Sequence, residues 1–233
     1  MTEQNFIQEC KKIGIEISQE QIAQFKRYME LLLEWNEKMN LTAITDESEI
    51  WEKHFFDSIL PFVNCEFKTV CDVGSGAGFP GIPLKIVKPD IEITLVEPLQ
   101  KRCKFLNEVV NVLGLENVYI ENKRAEDFVK EKREYFDCVS ARAVARLSIL
   151  SELCMPLVKL NGIMIALKGK NGHEEWEIAK IAVSVLGMEL EREEVDSLEN
   201  QATRVNLYFR KVKHTPLKYP RAYGQIKKKP LGE

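Results

Sequence analysis

The stretch Asp72-Val73-Gly74-Ser75-Gly76-Ala77-Gly78-Phe79-Pro80-Gly81 decides the fold. It ends the short apolar run Thr69-Val70-Cys71-Asp72-Val73 and leads into a helical pattern over 80–87. A strand whose terminal glycines open a helix is the first unit of a parallel sheet. Glycine lets a ligand come close to the backbone, and Pro80, near the first helical position, loses nothing by lacking an N–H. A turn that only packs helix on strand accounts for one or two glycines, but poorly for four within eight positions.

Outward from this loop, strand-like runs recur at 91–96, 118–120, 136–140 and 163–167. Helical patterns at 80–87, 99–113, 144–160 and 173–186 separate them. That alternation predicts a parallel sheet covered on both faces. Two further runs, 188–195 and 203–212, lie close together without a convincing helix between them, and are expected to pair as an antiparallel hairpin at one edge. The expected architecture is α/β, a Rossmann-like, mostly parallel seven-stranded sheet with that edge hairpin. The first 65 residues read as helices. Ser18-Gln19-Glu20-Gln21 has capping-box form and starts a helix over 19–38, and Asp46-Glu47-Ser48-Glu49 repeats the pattern before a helix that ends near Pro61. The expected division is a helical extension (1–64), the sheet domain (65–214) and a basic, mostly irregular tail (215–233).

Of the 233 residues, 45% are hydrophobic and 30% charged, which fits a folded core and excludes disorder as the main state. No run approaches the roughly 20 apolar residues of a membrane span, and the N-terminus lacks the pattern of a secretory signal. None of the six cysteines forms a Cys-x-x-Cys pair, so neither a zinc site nor a disulfide framework is expected; a reducing cytoplasm fits best. Residues 1–60 hold 6 basic and 12 acidic side chains, whereas residues 204–233 hold 9 basic and one acidic. One concentrated basic end suggests a polyanionic partner.

Glu97 closes the second strand, 23 positions after Gly74, where an acid can accept hydrogen bonds from ribose hydroxyls. Ribose is common to NAD and S-adenosylmethionine. Asp72 would repel a pyrophosphate and suits a cationic methionine group, which favours S-adenosylmethionine. Arg124-Ala125-Glu126-Asp127 follows the third strand, where adenine is commonly met; acids in the first turn of a helix would also account for it. Ser140-Ala141-Arg142-Ala143-Val144-Ala145-Arg146 follows the fourth strand. It lacks the Asn/Asp-Pro-Pro-aromatic motif of amino-group methyltransferases and offers no cysteine nucleophile. This site brings a cation, not a base. Lys168-Gly169-Lys170 reaches the same sheet edge after the fifth strand. His54 and Asp57 share a helix face at i, i+3, with no further metal ligands in view. In the tail, Tyr219, Arg221, Tyr223 and Lys227-Lys228-Lys229 interleave cations with aromatic rings, a composition suited to phosphate contact and base stacking.

Taken together, Asn40-Leu41-Thr42, His54-x-x-Asp57-Ser58, the loop from Gly74 to Leu84, Ser140-Ala-Arg-Ala, Leu167-Lys-Gly169 and Pro220-Arg…Lys-x-Pro-Leu231 resemble the bacterial 16S rRNA guanine-N7 methyltransferases, the RsmG or glucose-inhibited division protein B family. The resemblance spans essentially the whole chain. It implies a class I S-adenosylmethionine-dependent methyltransferase fold with an N-terminal helical extension, acting on one guanine of the small-subunit rRNA near the decoding site. Carried over by motif, cofactor contacts fall on Gly74, Gly76, Gly78, Phe79, Glu97, Pro98, Leu99, Ala125, Glu126 and Arg142. Arg142 and Lys168 are expected to position the base, and Arg204, Arg221, Lys227, Lys228 and Lys229 to contact RNA. Guanine N7 already carries an in-plane lone pair and releases no proton on alkylation, so no general base is expected. The expected partner is 16S rRNA or the small ribosomal subunit, engaged by a monomer, with no metal. Three rival readings remain: a small-molecule methyltransferase, a non-enzymatic ribosome-assembly factor on the same fold, and an NAD oxidoreductase.

Overall fold

The computed structural model describes residues 1–197 and 203–233. Seven strands form one sheet: β1 (Thr69–Val73), β2 (Glu92–Val96), β3 (Val118–Glu121), β4 (Phe136–Arg142), β5 (Val158–Gly169), β6 (Met188–Ser197) and β7 (Thr203–Lys211). Their order is β3-β2-β1-β4-β5-β7-β6. The first five are parallel, and β7 runs antiparallel to both β5 and β6. The expected link without a helix between the last two strands falls at 198–202, outside the described residues. Strand order reverses between β1 and β4, and the crevice beyond their carboxyl ends is where such sheets bind ligands.

The helices are α1 (Glu3–Lys12), α2 (Gln19–Met39), α3 (Glu47–Glu49), α4 (Asp57–Ile59), α5 (Gly81–Val87), α6 (Gln100–Val112), α7 (Ala125–Lys132), α8 (Leu147–Cys154), α9 (Gly172–Val185) and α10 (Tyr223–Lys228). Ser18 caps α2 as its sequence requires. Its hydroxyl accepts from the Gln21 N–H at 3.1 Å, and its own N–H donates to Gln21 Oε1 at 2.8 Å. The helix expected after Asp46 is composite. A π-helical stretch, Ile50–Phe56, links α3 to α4, and a 3₁₀ turn at Leu60–Phe62 accommodates Pro61. The long helix expected over 144–160 is shorter, because Pro156 lies in a 3₁₀ turn (Met155–Leu157) and β5 begins at Val158. The tail is not irregular throughout, since Tyr223–Lys228 is helical.

Strand side chains alternate between two apolar layers. Ile93 and Leu95 of β2, with Ile163, Ile165 and Leu167 of β5, face the layer that holds the N-terminal helices. Val96, Met164 and Ala166 face the layer beneath α7, α8 and α9. Burial on both faces is why these strands read as apolar runs. On the first face, Phe6, Phe25, Tyr28, Trp51 and Phe55 pack with Phe79 of the glycine loop, so the helices of 1–64 share a core with the sheet. On the other face the tail is docked: Thr215, Tyr219, Ile226 and Pro230 are buried.

Candidate active site

Two cavities open side by side at the carboxyl ends of the strands. The first, of 370 Å³, lies between the glycine loop, the end of β2 and the start of α7, and is lined by Gly74, Glu97, Pro98, Leu99, Ala125 and Glu126 together with Arg124, Val144 and Tyr223. That volume suits a small organic ligand, for which cavities of about 300–1,000 Å³ are usual. The second, of 540 Å³, is lined by Lys53, His54, Asp57, Arg142, Lys168 and Arg204, with Arg146 and Glu175 at its edge. Ala143 and Val144 belong to both linings and form the wall between the cavities.

The loop's geometry explains its glycines. Gly74 has φ of +71°, and a Cβ there would lie 2.6 Å from Val144 Cγ2. Gly76, at φ +59°, donates its N–H to Glu97 Oε2 at 3.0 Å. Glu97 Oε1 accepts from the Leu99 N–H at 2.8 Å, so one buried carboxylate braces both sides of the first cavity. A carboxylate offers about four acceptor directions, which leaves capacity for ligand hydroxyls. Leu99 is exposed at the rim and provides apolar surface. A glycine-rich loop, an acid with spare lone pairs and an apolar rim fit an adenosine-type ligand such as S-adenosylmethionine.

Several residues singled out from sequence lie elsewhere. Gly78 is buried under Tyr28, Ile82 and Leu106, where a Cβ would clash, so it serves packing. Phe79 is buried beneath His54, ring centroids 4.3 Å apart and nearly parallel, and lines neither cavity. Asp72, expected beside the ligand's cation, is instead fully buried and holds the loop: Oδ2 accepts from the Gly81 N–H at 3.1 Å, and Oδ1 from Ser140 Oγ at 3.3 Å. Burial raises its pKa to about 6, against the Gly81 and Ser140 hydrogen bonds and the Arg142 charge, which lower it.

Arg142 faces the second cavity rather than the first. Its guanidinium donates to the Lys53 carbonyl at 3.0 Å and to Ser58 Oγ at 3.4 Å, lies 3.6 Å from Asp57 Oδ2, and stacks on Phe79. It also donates to His54 Nδ1 at 3.3 Å, which leaves Nε2–H to donate to Thr42 Oγ1 at 2.8 Å. This links the separate motifs at 40–42, 54–58 and 140–143 around one arginine. Burial, and then the Arg142 charge, push the His54 pKa down to about 3. Arg204 spans Asp57, with Nε 2.9 Å from both carboxylate oxygens. Lys168 donates to the Ala145 carbonyl at 2.6 Å and pairs with Glu175 at 2.7 Å, fixing the dividing wall from below.

Arg221, expected on RNA, is committed to the interior. Its backbone N–H and guanidinium hold the fully buried Glu152 at 2.7–3.2 Å. Lys227, Lys228 and Lys229 are exposed. Sequence reasoning passed over Val144, Arg124 as a lining residue, Lys53 and the placement of Tyr223. Only the docking of the tail, which local sequence does not encode, brings Tyr223 to the first cavity. Among the described residues there is no cluster of potential metal ligands and no helix long and apolar enough to cross a membrane.

Residues 21–205 match the family model described as rRNA small subunit methyltransferase G. The chain is 51% identical to the ribosomal RNA small subunit methyltransferase G of Lysinibacillus sphaericus (strain C3-41), over 99% of this chain and 100% of that one. It is 50% identical to the protein of the same name from Macrococcus caseolyticus (strain JCSC5402), over 99% of each. Among solved structures, a putative transferase from Pyrococcus horikoshii superposes with a TM-score of 0.56 at 17% identity, covering 68% of this chain and 63% of that one. TYW2 of M. jannaschii, solved in complex with AdoMet, gives 0.54 at 17% identity, covering 67% of this chain and 75% of that one. At such identity the two structures share the fold alone.

Proposed function

The chain belongs to the rRNA small subunit methyltransferase G family, and from that premise we propose that it methylates N7 of one guanine of 16S rRNA near the decoding site, with S-adenosylmethionine as donor. The observation that carries the choice of acceptor is the state of the second cavity. His54, Asp57 and Glu175, the lining groups that could take up a proton, are each engaged. Arg142 and Thr42 hold His54, Arg204 holds Asp57, and Lys168 and the Leu147 N–H hold Glu175. An acceptor that must lose a proton finds no free base there, and guanine N7 needs none.

In the first cavity Gly74, packed against Val144, forms the loop side of the cofactor site, Glu97 accepts the ribose hydroxyls, and Leu99 and Ala125 pack on the adenine. When bound, S-adenosylmethionine supplies a methyl group on a cationic sulfur. Arg142 keeps part of its donor fork free for a ligand in the second cavity, and an arginine fork matches the adjacent O6 and N7 acceptors of guanine. Its clamp of Lys53, His54, Ser58 and Phe79 fixes that fork before the base arrives. Val144 and Ala143 border both cavities; transfer needs the two to be continuous beside these residues, and there their side chains exclude water. Acceleration then comes from orientation, of order 7–11 kcal/mol where geometry is good. Lys227, Lys228 and Lys229 add phosphate contacts outside the site.

Incubation of the protein with methyl-labelled S-adenosylmethionine and either naked 16S rRNA or small subunits, followed by nucleoside analysis, tests the reading. Label in 7-methylguanosine is expected. Label in another nucleoside, or RNA binding without methyl transfer, would reject it.

A further inference from the structure

The tail residue Tyr223 stands in the lining of the first cavity, beside Arg124, Ala125 and Glu126. Its ring is half-buried, with the Arg124 guanidinium 5.8 Å from the centroid. The chain is fixed on both sides of it. Before it, Arg221 grips the buried Glu152, and the Arg133 guanidinium donates to the Tyr219 carbonyl. After it, Ile226 is fully buried in the apolar layer under α8, and Pro230 is buried as well. A flat ring is thereby held at the end of the cavity where α7 begins, far along the chain from every other lining residue. The remaining surface at that end is aliphatic or charged.

We propose that Tyr223 is a cofactor-binding residue, the aromatic wall against which the adenine ring stacks, so that the docked tail completes the cofactor site. The assignment rests on the S-adenosylmethionine reading given above. Aromatic faces hold nucleobases by stacking, and a half-buried phenol ring presents both an apolar face and a polar edge to such a ligand. Arg124, positioned over the ring, keeps its orientation.

The test is calorimetric titration of the full chain with S-adenosylhomocysteine and with methylthioadenosine, which has the adenosine half but no amino-acid group. Wild type is compared with Tyr223→Phe, Tyr223→Leu and Tyr223→Ala, each checked for an unchanged melting transition without ligand. Tyr223→Leu keeps apolar packing if Tyr223→Ala fails to fold. The expected result is wild-type affinity in Tyr223→Phe and a loss of about tenfold in the other two, equal for both ligands. In turnover, KM for S-adenosylmethionine should rise by a similar factor with kcat little changed. Wild-type affinity in Tyr223→Leu, or a loss seen with S-adenosylhomocysteine but not with methylthioadenosine, would overturn the assignment alone. A wild-type chain that binds neither ligand would overturn the cofactor reading and this assignment with it.

Discussion

Both ring nitrogens of His54 are committed, Nδ1 to Arg142 and Nε2 to Thr42, and its pKa is pushed down to about 3. Such a histidine is neutral in the fold and becomes protonated in the unfolded chain below about pH 6.5. The unfolded state then binds more protons, so His54 makes stability rise with pH between about 3 and 6.5. Asp72 acts in the opposite sense: its pKa is raised to about 6, so the fold binds its proton more tightly and stability from this group falls as pH rises from about 4 to 6. The two slopes oppose each other in wild type. In His54→Gln the His54 slope is gone and no longer opposes that of Asp72. Urea unfolding at several pH values should show the stability advantage of wild type over His54→Gln growing by about 1.4 kcal/mol per unit between pH 4 and 6. A constant difference would mean that His54 is not buried neutral. The same neutrality predicts a single-turnover rate without a rising limb between about pH 6 and 8. Glu97→Ala should weaken S-adenosylmethionine binding by about 1.5–3 kcal/mol in calorimetry, with Glu97→Gln intermediate because it keeps one acceptor oxygen. The sequence marked His54 and Asp57 as neighbours on a helix face, which they are. It could not show that their partners, Arg142 and Arg204, arrive from strands 88 and 147 residues away.

Among the elements, the loop from β1 to α5 and the wall at 143–144 act as one device. A side chain at position 74 meets two costs, a left-handed φ and contact with Val144. Gly74→Ala should therefore reduce stability and displace Val144 from the lining of the first cavity. Val144→Ala placed on that background should recover the steric part and leave the conformational part, about 1–2 kcal/mol. Chemical denaturation of both variants measures the split, and no recovery in the double variant would show that Val144 is not the obstacle. The elements that were legible in sequence share a physical reason. Apolar runs buried on both faces and capped helices carry their signal locally, as at Thr69–Val73 and Ser18. The π-helical stretch at Ile50–Phe56 and the docked helix α10 do not. The first depends on how aromatic rings pack around Phe55 and Phe79, the second on a single buried Ile226 and on Glu152, distant in sequence. A run of lysines and prolines reads as a solvated end unless those anchors are known.

Across the whole molecule, the tail is divided between interior and surface. Arg221→Ala would leave the buried Glu152 with only the backbone N–H of residue 221 as its partner there and should destabilise the fold by about 1.5–3 kcal/mol. Replacing Lys227, Lys228 and Lys229 together with alanine should leave thermal stability unchanged and weaken binding to 16S rRNA. It should also lower the slope of log affinity against log salt by about 0.7–0.9 for each phosphate that a lysine no longer neutralises. Filter binding across a salt series, beside melting curves, separates these two roles; an unchanged slope in the lysine variant would remove α10 from the RNA surface. Fold and site meet in one arrangement: a glycine-loop cavity and a cation-lined cavity meet at Ala143–Val144, and His54, Asp57 and Glu175 of the cation-lined cavity each have a partner. Mass mapping of 16S rRNA from cells containing and lacking this protein tests that arrangement most directly. The expected result is one guanine that carries an N7 methyl group only when the protein is present, and that loses it when Glu97 is replaced by alanine. Identical 16S rRNA from the two cells, or a methyl group that depends on the protein but sits on an atom that gives up a proton when methylated, would contradict it.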